Sequence, residues 1–123
     1  MKLRTLVVDD EPLARKRILR LLGDEPDVEV IGECSDGLEA VAAVRERSPD
    51  LVFLDVQMPE LDGLGVLEEV GGRARPFFVL VTAYDHYAES AGAHDYILKP
   101  FDRERLRGAL DRARARLCPT AAQ

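Results

Sequence analysis

Asp9, Asp10, Asp55, Thr82 and Lys99 are the residues of this chain whose types and places suggest shared chemistry. Each stands where a short apolar run stops. Asp9 and Asp10 follow Leu6-Val7-Val8, and Asp55 follows Leu51-Val52-Phe53-Leu54. Thr82 follows the run from Phe77 to Val81, and Lys99 follows Tyr96-Ile97-Leu98. Taken singly, each has an ordinary explanation: a turn or helix cap for the aspartates and the threonine, a solvated surface charge for the lysine. Their joint occurrence at successive strand ends points to one cleft. Parallel strands put all their carboxyl ends on one edge, which is where open α/β sheets bind ligands.

Three carboxylates gathered there repel one another and raise each other's pKa. A hard divalent cation relieves that repulsion, and carboxylate oxygens with positions left for water suit Mg²⁺, with Mn²⁺ able to substitute. A carboxylate neutralised in this way can attack phosphorus and become an acyl phosphate. Lys99 would bring positive charge to the oxygens of the transferred group, and Thr82 a hydroxyl donor. No histidine is placed to activate a serine, which argues against a hydrolytic triad.

The elements that must position these residues follow from the hydrophobic pattern. The runs ending at Asp9, Asp55, Thr82 and Lys99 are short and β-branched or aromatic, with little polar alternation, so they read as strands buried on both faces. Val28 to Cys34 alternates apolar and polar, as a strand with one exposed face does. Between the strands lie helical periods. Glu11-Pro12 opens one that carries Leu13, Ala14, Ile18, Leu21 and Leu22 and stops at Gly23 and Pro26. Leu38, Val41, Ala42 and Val44 mark a second, stopped by Ser48-Pro49. Gly63 to Val70 is a third, closed by Gly71-Gly72. Leu106, Ala109, Leu110, Ala113 and Leu117 stripe a final arginine-rich helix. Strand and helix alternate throughout, which predicts a parallel sheet covered by helices on both faces.

The chain has 123 residues, 46% hydrophobic and 33% charged, with a net charge of −6. That is one globular domain. The acidic balance disfavours general capture of nucleic acid. Arg103, Arg105, Arg107, Arg112, Arg114 and Arg116 lie on the last helix, but Asp102, Glu104 and Asp111 dilute them. A solvated face or a dimer salt-bridge surface is the expectation there. No apolar run approaches the roughly 18 residues of a membrane span. The first residues turn acidic at once, unlike a signal peptide, so the expected place is the cytoplasm, with no membrane partner. Cys34 and Cys118 read as ordinary thiols, and His86 and His94 as solvated residues outside any metal pattern.

The motifs VVDDEP (Val7 to Pro12), LVFLDVQMPELDG (Leu51 to Gly63), VTAY (Val81 to Tyr84) and DYILKPF (Asp95 to Phe101) resemble those of two-component response-regulator receiver domains. The resemblance covers residues 1–117, leaving 118–123 as a tail or the start of a linker. It implies a flavodoxin-like (βα)₅ doubly wound fold with sheet order 2-1-3-4-5. It also implies a phosphoacceptor switch rather than an enzyme in its own right, with a sensor histidine kinase as partner. By that resemblance Asp55 is the phosphoacceptor. Asp10, Asp55 and the backbone carbonyl of Gln57 are Mg²⁺ ligands, and Asp9 orients a metal-bound water. Thr82 and Lys99 sense the phosphoryl group, and Thr82 with Tyr96 forms the switch. Pro59, Gly63 and Pro100 shape the loops, with a cis bond at Lys99-Pro100. Gln57 and Tyr84 stand where the family tunes dephosphorylation.

The DDEPLAR opening, the VQMPELDG loop and the TAYDHYA segment are most like receivers of LytTR-class regulators. Those usually carry a C-terminal DNA-binding domain, so DNA would be reached only through a domain outside this chain. A receiver taken from a longer regulator is favoured over a stand-alone one. Phosphorylation would then act on transcription, with a homodimer as a possible form. The stretch between Thr82 and Lys99 is about one helical turn shorter than the usual pattern, which predicts a shortened fourth helix. That shortening puts the family's usual dimer face in doubt.

Three rivals keep a similar fold or chemistry. A receiver-like module that signals without phosphorylation would lack one of the acids, the threonine or the lysine. A haloacid-dehalogenase-like phosphatase would want DxDx(T/V) after the first strand, where Asp9-Asp10-Glu11 stands. An FMN carrier would want a Ser/Thr/Gly phosphate loop there instead of acid.

Overall fold

The computed structural model describes residues 2–70, 76–84 and 93–117. In chain order the elements are β1 (Leu3–Val8), α1 (Pro12–Leu22), β2 (Val28–Cys34), α2 (Gly37–Arg47), β3 (Leu51–Asp55), α3 (Gly63–Val70), β4 (Phe77–Thr82), β5 (Asp95–Leu98) and α4 (Arg103–Leu117). The strands form one five-stranded sheet in the order β2-β1-β3-β4-β5, all pairs parallel. That is the predicted architecture. The predicted shortened helix between Thr82 and Lys99, the stop at Gly71-Gly72, His86 and the 118–123 tail lie outside the described residues.

The period of two along each central strand divides the core. Phe53, Val79 and Val81 join Ile18 and Leu22 of α1 and Leu106, Ala109 and Leu110 of α4 on one face. Val52, Leu54 and Leu80 join Ala40, Val41 and Val44 of α2 and Val66 and Leu67 of α3 on the other. β3 and β4 are buried at every position, while β2 at the edge is only partly covered. Here the alternating sequence of β2 and the continuous runs of β3 and β4 translate directly into sheet position.

Local chemistry sets the helix starts. Pro12 occupies the first turn of α1, where its missing N–H is no loss. At α2, the Asp36 carboxylate accepts from the Glu39 N–H at 2.8 Å, and the Glu39 carboxylate reaches back to the Ser35 N–H at 2.7 Å. Two helix stripes are narrower than predicted. Leu13 and Leu38 are 80% and 56% exposed, and Ala42 is exposed too. Leu13 and Leu38 sit in the first turns of α1 and α2, at the ligand edge of the sheet, where no helix among the described residues covers them.

Five of the six α4 arginines bind acids of their own chain, while Arg107, Arg112 and Arg116 remain exposed, as a solvated face requires. Arg103 meets Asp24 at 2.6 Å, Arg107 meets Glu25 at 2.8 Å, and Arg114 meets Asp27 and Glu25 at 2.7 and 2.9 Å. On the other flank, Arg105 and Arg112 reach Asp95 at 3.4 and 2.7 Å. The helix is thus fastened to the α1–β2 loop on one side and to β5 on the other. His94, predicted as a solvated residue, is exposed but engaged: its Nδ1 accepts from the Phe78 N–H at 3.0 Å and its ring stacks on Phe77.

Candidate functional site

The strand order brings the carboxyl ends of β1, β3, β4 and β5 side by side. Asp9 and Asp10 follow β1, Asp55 ends β3, Thr82 ends β4 and Lys99 follows β5. Asp9, Asp10 and Asp55 each present a carboxylate oxygen within 4.8 Å of the others. The Lys99 Nζ lies 3.1 Å from Asp9 Oδ2 and 3.8 Å from Asp55 Oδ1. A cleft of about 640 Å³ opens over them, lined also by Glu11, Gln57, Pro59, Asp62, Thr82 and Tyr84.

Several of these residues are fixed from behind. Asp9 is buried, and its Oδ1 accepts from the Glu11 N–H at 2.9 Å. Its own N–H donates to the Cys34 carbonyl at the end of β2. The Lys99 N–H donates to the Thr82 carbonyl at 2.7 Å, tying β5 to β4 at the cleft. The Lys99-Pro100 peptide is cis, as the resemblance implies. The Thr82 Oγ1 is buried and accepts from the Tyr84 N–H at 3.1 Å. Gly63 begins α3 and donates its N–H to the Val56 carbonyl at 2.8 Å. A Cβ on Gly63 would stand 2.4 Å from the Asp55 carbonyl oxygen, so glycine is required for this approach. The turn between Pro59 and Gly63 also holds Glu60 at φ 67°, a left-handed conformation.

The electrostatics follow from crowding. Burial pushes the Asp55 carboxyl up, and the charge of Asp9 pushes it further, to about 7. Lys99 and the Gln57 backbone N–H oppose that shift without cancelling it. For Lys99, burial lowers the pKa, but the charges of Asp55 and Asp9 outweigh burial and the net shift is upward. The lysine is therefore a firm cation shared by acids that outnumber it.

A sequence profile described as the response regulator receiver domain matches residues 5–111.

The chain belongs to the response regulator receiver domain family.

Relatives agree with it in sequence and in structure. The receiver is 44% identical over 115 residues to the transcriptional regulatory protein BtsR of Escherichia coli, covering 91% of this chain and 48% of that protein. It therefore spans about half the length of the curated relatives it matches. The response regulatory domain of mrkE from Klebsiella pneumoniae superposes with a TM-score of 0.82 at 31% identity, over 89% of this chain and 93% of that one. The receiver domain of sensor histidine kinase PA1611 from Pseudomonas aeruginosa superposes with a TM-score of 0.81 at 28% identity, over 91% and 97% of the two chains. That crystal structure carries a magnesium ion coordinated in its active-site cleft. A receiver domain is a signalling module, and the acidic trio found here is typical of the family's metal site.

All the residues singled out from sequence as acids, hydroxyl or cation converge on the cleft. Tyr96 pairs with Leu80 while Thr82 pairs with Leu98, so Tyr96 and Thr82 share a face of the sheet two register positions apart. Its ring is half-buried against the core on the α2 and α3 side, and its carbonyl accepts from Arg105. Sequence reasoning missed Asp62 and Glu11 as cleft residues, and it missed Arg15. The Arg15 guanidinium donates to the Asp9 carbonyl at 2.6 Å. Its only sequence signal was its place in DDEPLAR.

Proposed function

We propose that this receiver is the phosphoacceptor switch of a two-component system and that Asp55 is the acceptor. The observation that carries the proposal is the Asp9-Asp10-Asp55 trio with Lys99 lodged between Asp9 and Asp55. An octahedral Mg²⁺ with ligands at about 2.1 Å keeps those ligands within about 4.2 Å of one another. The span of up to 4.8 Å suits two direct ligands and a third acid acting through water. Asp10 and Asp55, with the Gln57 backbone carbonyl, would be the direct ligands, and Asp9 the one that orients water. When bound, Mg²⁺, or Mn²⁺ in its place, neutralises the excess acid charge and draws in the oxygens of the phosphoryl group.

The chain's own residues do the rest. A carboxylate oxygen of Asp55 attacks phosphorus while the bond to the histidine nitrogen of a kinase breaks, leaving an aspartyl phosphate. Lys99 turns from Asp9 toward the new phosphoryl oxygens. The Thr82 hydroxyl, which among the described residues accepts from the Tyr84 N–H, would donate its own proton to them. Tyr96, on the same sheet face, follows the space that Thr82 leaves. Such a step shifts a pre-existing equilibrium only by its difference in affinity for the two states. Pro59, Gly63 and Pro100 keep the loops shaped for it, and Gln57 and Tyr84 border the route for hydrolysis.

The receiver unit runs over residues 1–117, with 118–123 as tail or linker. Its partner is a sensor histidine kinase in the cytoplasm. Its output is transcription through a DNA-binding domain beyond this chain, with homodimerisation on phosphorylation. Support for that output comes from the BtsR relatives, which are named as transcriptional regulators. The test is a small-molecule phosphodonor with Mg²⁺, followed by intact mass. Wild type is expected to gain one phosphoryl mass and Asp55→Asn none. No gain in wild type, or an equal gain in the variant, would overturn Asp55 as acceptor.

A further inference from the structure

We propose that Arg15 is a positioning residue for the acidic pair, acting through the peptide that joins Asp9 to Asp10; this rests on the reading of the cleft as a metal-dependent phosphoacceptor site. Asp9 lies one residue beyond the end of β1, so the sheet no longer dictates the orientation of its carbonyl. That carbonyl belongs to the peptide plane between the two acids. The Arg15 Nη1 donates to it at 2.6 Å.

The guanidinium is itself held. Its Nε donates to Glu33 Oε1 of β2 at 3.1 Å. The Arg15 side chain is only 18% exposed, against 47% for Glu33. One planar cation therefore braces α1, β2 and the acid loop together. The three other holds on Asp9 act on its N–H and its two carboxylate oxygens. Among the described contacts, only Arg15 fixes the plane on the Asp10 side. Among the described residues Asp10 makes no side-chain hydrogen bond, so its direction depends on that plane.

Two donors spaced on one rigid fork perform this role, and a lysine cannot reproduce both. A side chain that orients a metal ligand contributes substantially to metal affinity without touching the metal. The expected signature is a change in metal affinity with the phosphoryl-transfer groups left intact.

The experiment titrates Mg²⁺ alone into the full chain, and measures the rate of phosphoryl uptake from acetyl phosphate against Mg²⁺ concentration. Thermal unfolding is recorded beside both. Arg15→Met is expected to raise the Mg²⁺ Kd about tenfold, the lower end for a group that orients a metal ligand. At saturating Mg²⁺ the uptake rate should return to within about twofold of wild type, because Asp55, Thr82 and Lys99 are untouched. Arg15→Lys should fall between wild type and Arg15→Met. Glu33→Gln, which keeps the Asp9 carbonyl contact, should stay near wild type.

A Kd for Arg15→Met within about twofold of wild type would overturn the proposal, being below any orienting contribution. An equal loss in Glu33→Gln would also overturn it, by assigning the effect to the α1–β2 ion pair. Should Arg15→Met fail to fold, Arg15→Lys decides alone, and a wild-type Kd in it counts against the proposal. Failure of wild type to bind Mg²⁺ or take up phosphoryl would sink the function reading instead, which keeps the two outcomes separate.

Discussion

Two regions of this receiver collect acids beside basic side chains, at opposite edges of the sheet, and they are built to opposite ends. At the amino edge, Glu25 and Asp27 of the α1–β2 loop meet Arg107 and Arg114 of α4. Each acid there has an arginine partner. Hydrogen bonding from Arg107 outweighs burial and holds the Glu25 carboxyl below its ordinary value, and Arg114 does the same for Asp27. At the carboxyl edge, Asp9, Asp10 and Asp55 share Lys99, and Asp55 is pushed up to about 7. Unpartnered buried atoms do not separate the two regions, since no buried side-chain polar atom among the described residues lacks a partner. Net charge does. One edge is neutralised by the chain itself, and the other retains an excess that an external cation and a phosphoryl group must resolve.

The strongest perturbation of the cleft is steric. Gly63→Ala would press a methyl group on the Asp55 carbonyl. It is expected to lower stability by about 3 kcal/mol, the upper part of the overpacking range, measured by denaturant unfolding. Next comes Asp55→Asn, which removes charge from the crowded edge. Because the folded pKa of Asp55 lies above its ordinary 3.8, its contribution to stability is full below that value and is lost as pH rises through about 7. In metal-free protein at pH 8 the variant is therefore expected to be more stable than wild type, by about 1–2 kcal/mol after allowing for solvent screening. Added Mg²⁺ should stabilise wild type more than the variant.

The matching change at the other edge should have the opposite sign. Glu25→Gln at pH 7 is expected to lower stability by about 1 kcal/mol, once screening is allowed for. Its folded pKa is depressed, so wild type has that contribution above the ordinary 4.5 and loses it as pH falls through the folded value. The difference between variant and wild type should then shrink in acid. If both substitutions shifted stability the same way at pH 8, the contrast between the edges would be broken. The smallest effect is expected for Arg112→Ala, about 0.5 kcal/mol in thermal unfolding, because Arg105 still reaches Asp95.

Much of this was legible beforehand, and the reasons are physical. The apolar runs of β3 and β4 have no polar alternation, so their central place and parallel pairing follow from composition. Because each run ends at a polar residue, the parallel sheet alone convenes Asp9, Asp10, Asp55, Thr82 and Lys99. Gly63 and the cis Lys99-Pro100 bond came from resemblance, and the structure supplies the close approach that makes the glycine necessary. Long-range pairings were not legible. Periodicity placed Leu13 and Leu38 on apolar stripes, but exposure at a helix's first turn depends on which neighbours reach it. The α4 arginines read as a solvated face or a dimer salt-bridge surface because several of their acids lie about eighty residues away, as in Arg107 with Glu25. Arg15 was hidden for a related reason: its partner is a backbone carbonyl, which side-chain patterns do not reveal.

Carbon NMR of the Asp55 side-chain carboxyl, titrated with pH in metal-free protein and again with saturating Mg²⁺, reads the unresolved charge itself. Without metal the midpoint should lie near 7, and with Mg²⁺ it should fall well below that. A metal-free midpoint near the ordinary carboxylate value of about 4, or one that Mg²⁺ leaves in place, would contradict a cleft held in excess charge for a cation and a phosphoryl group.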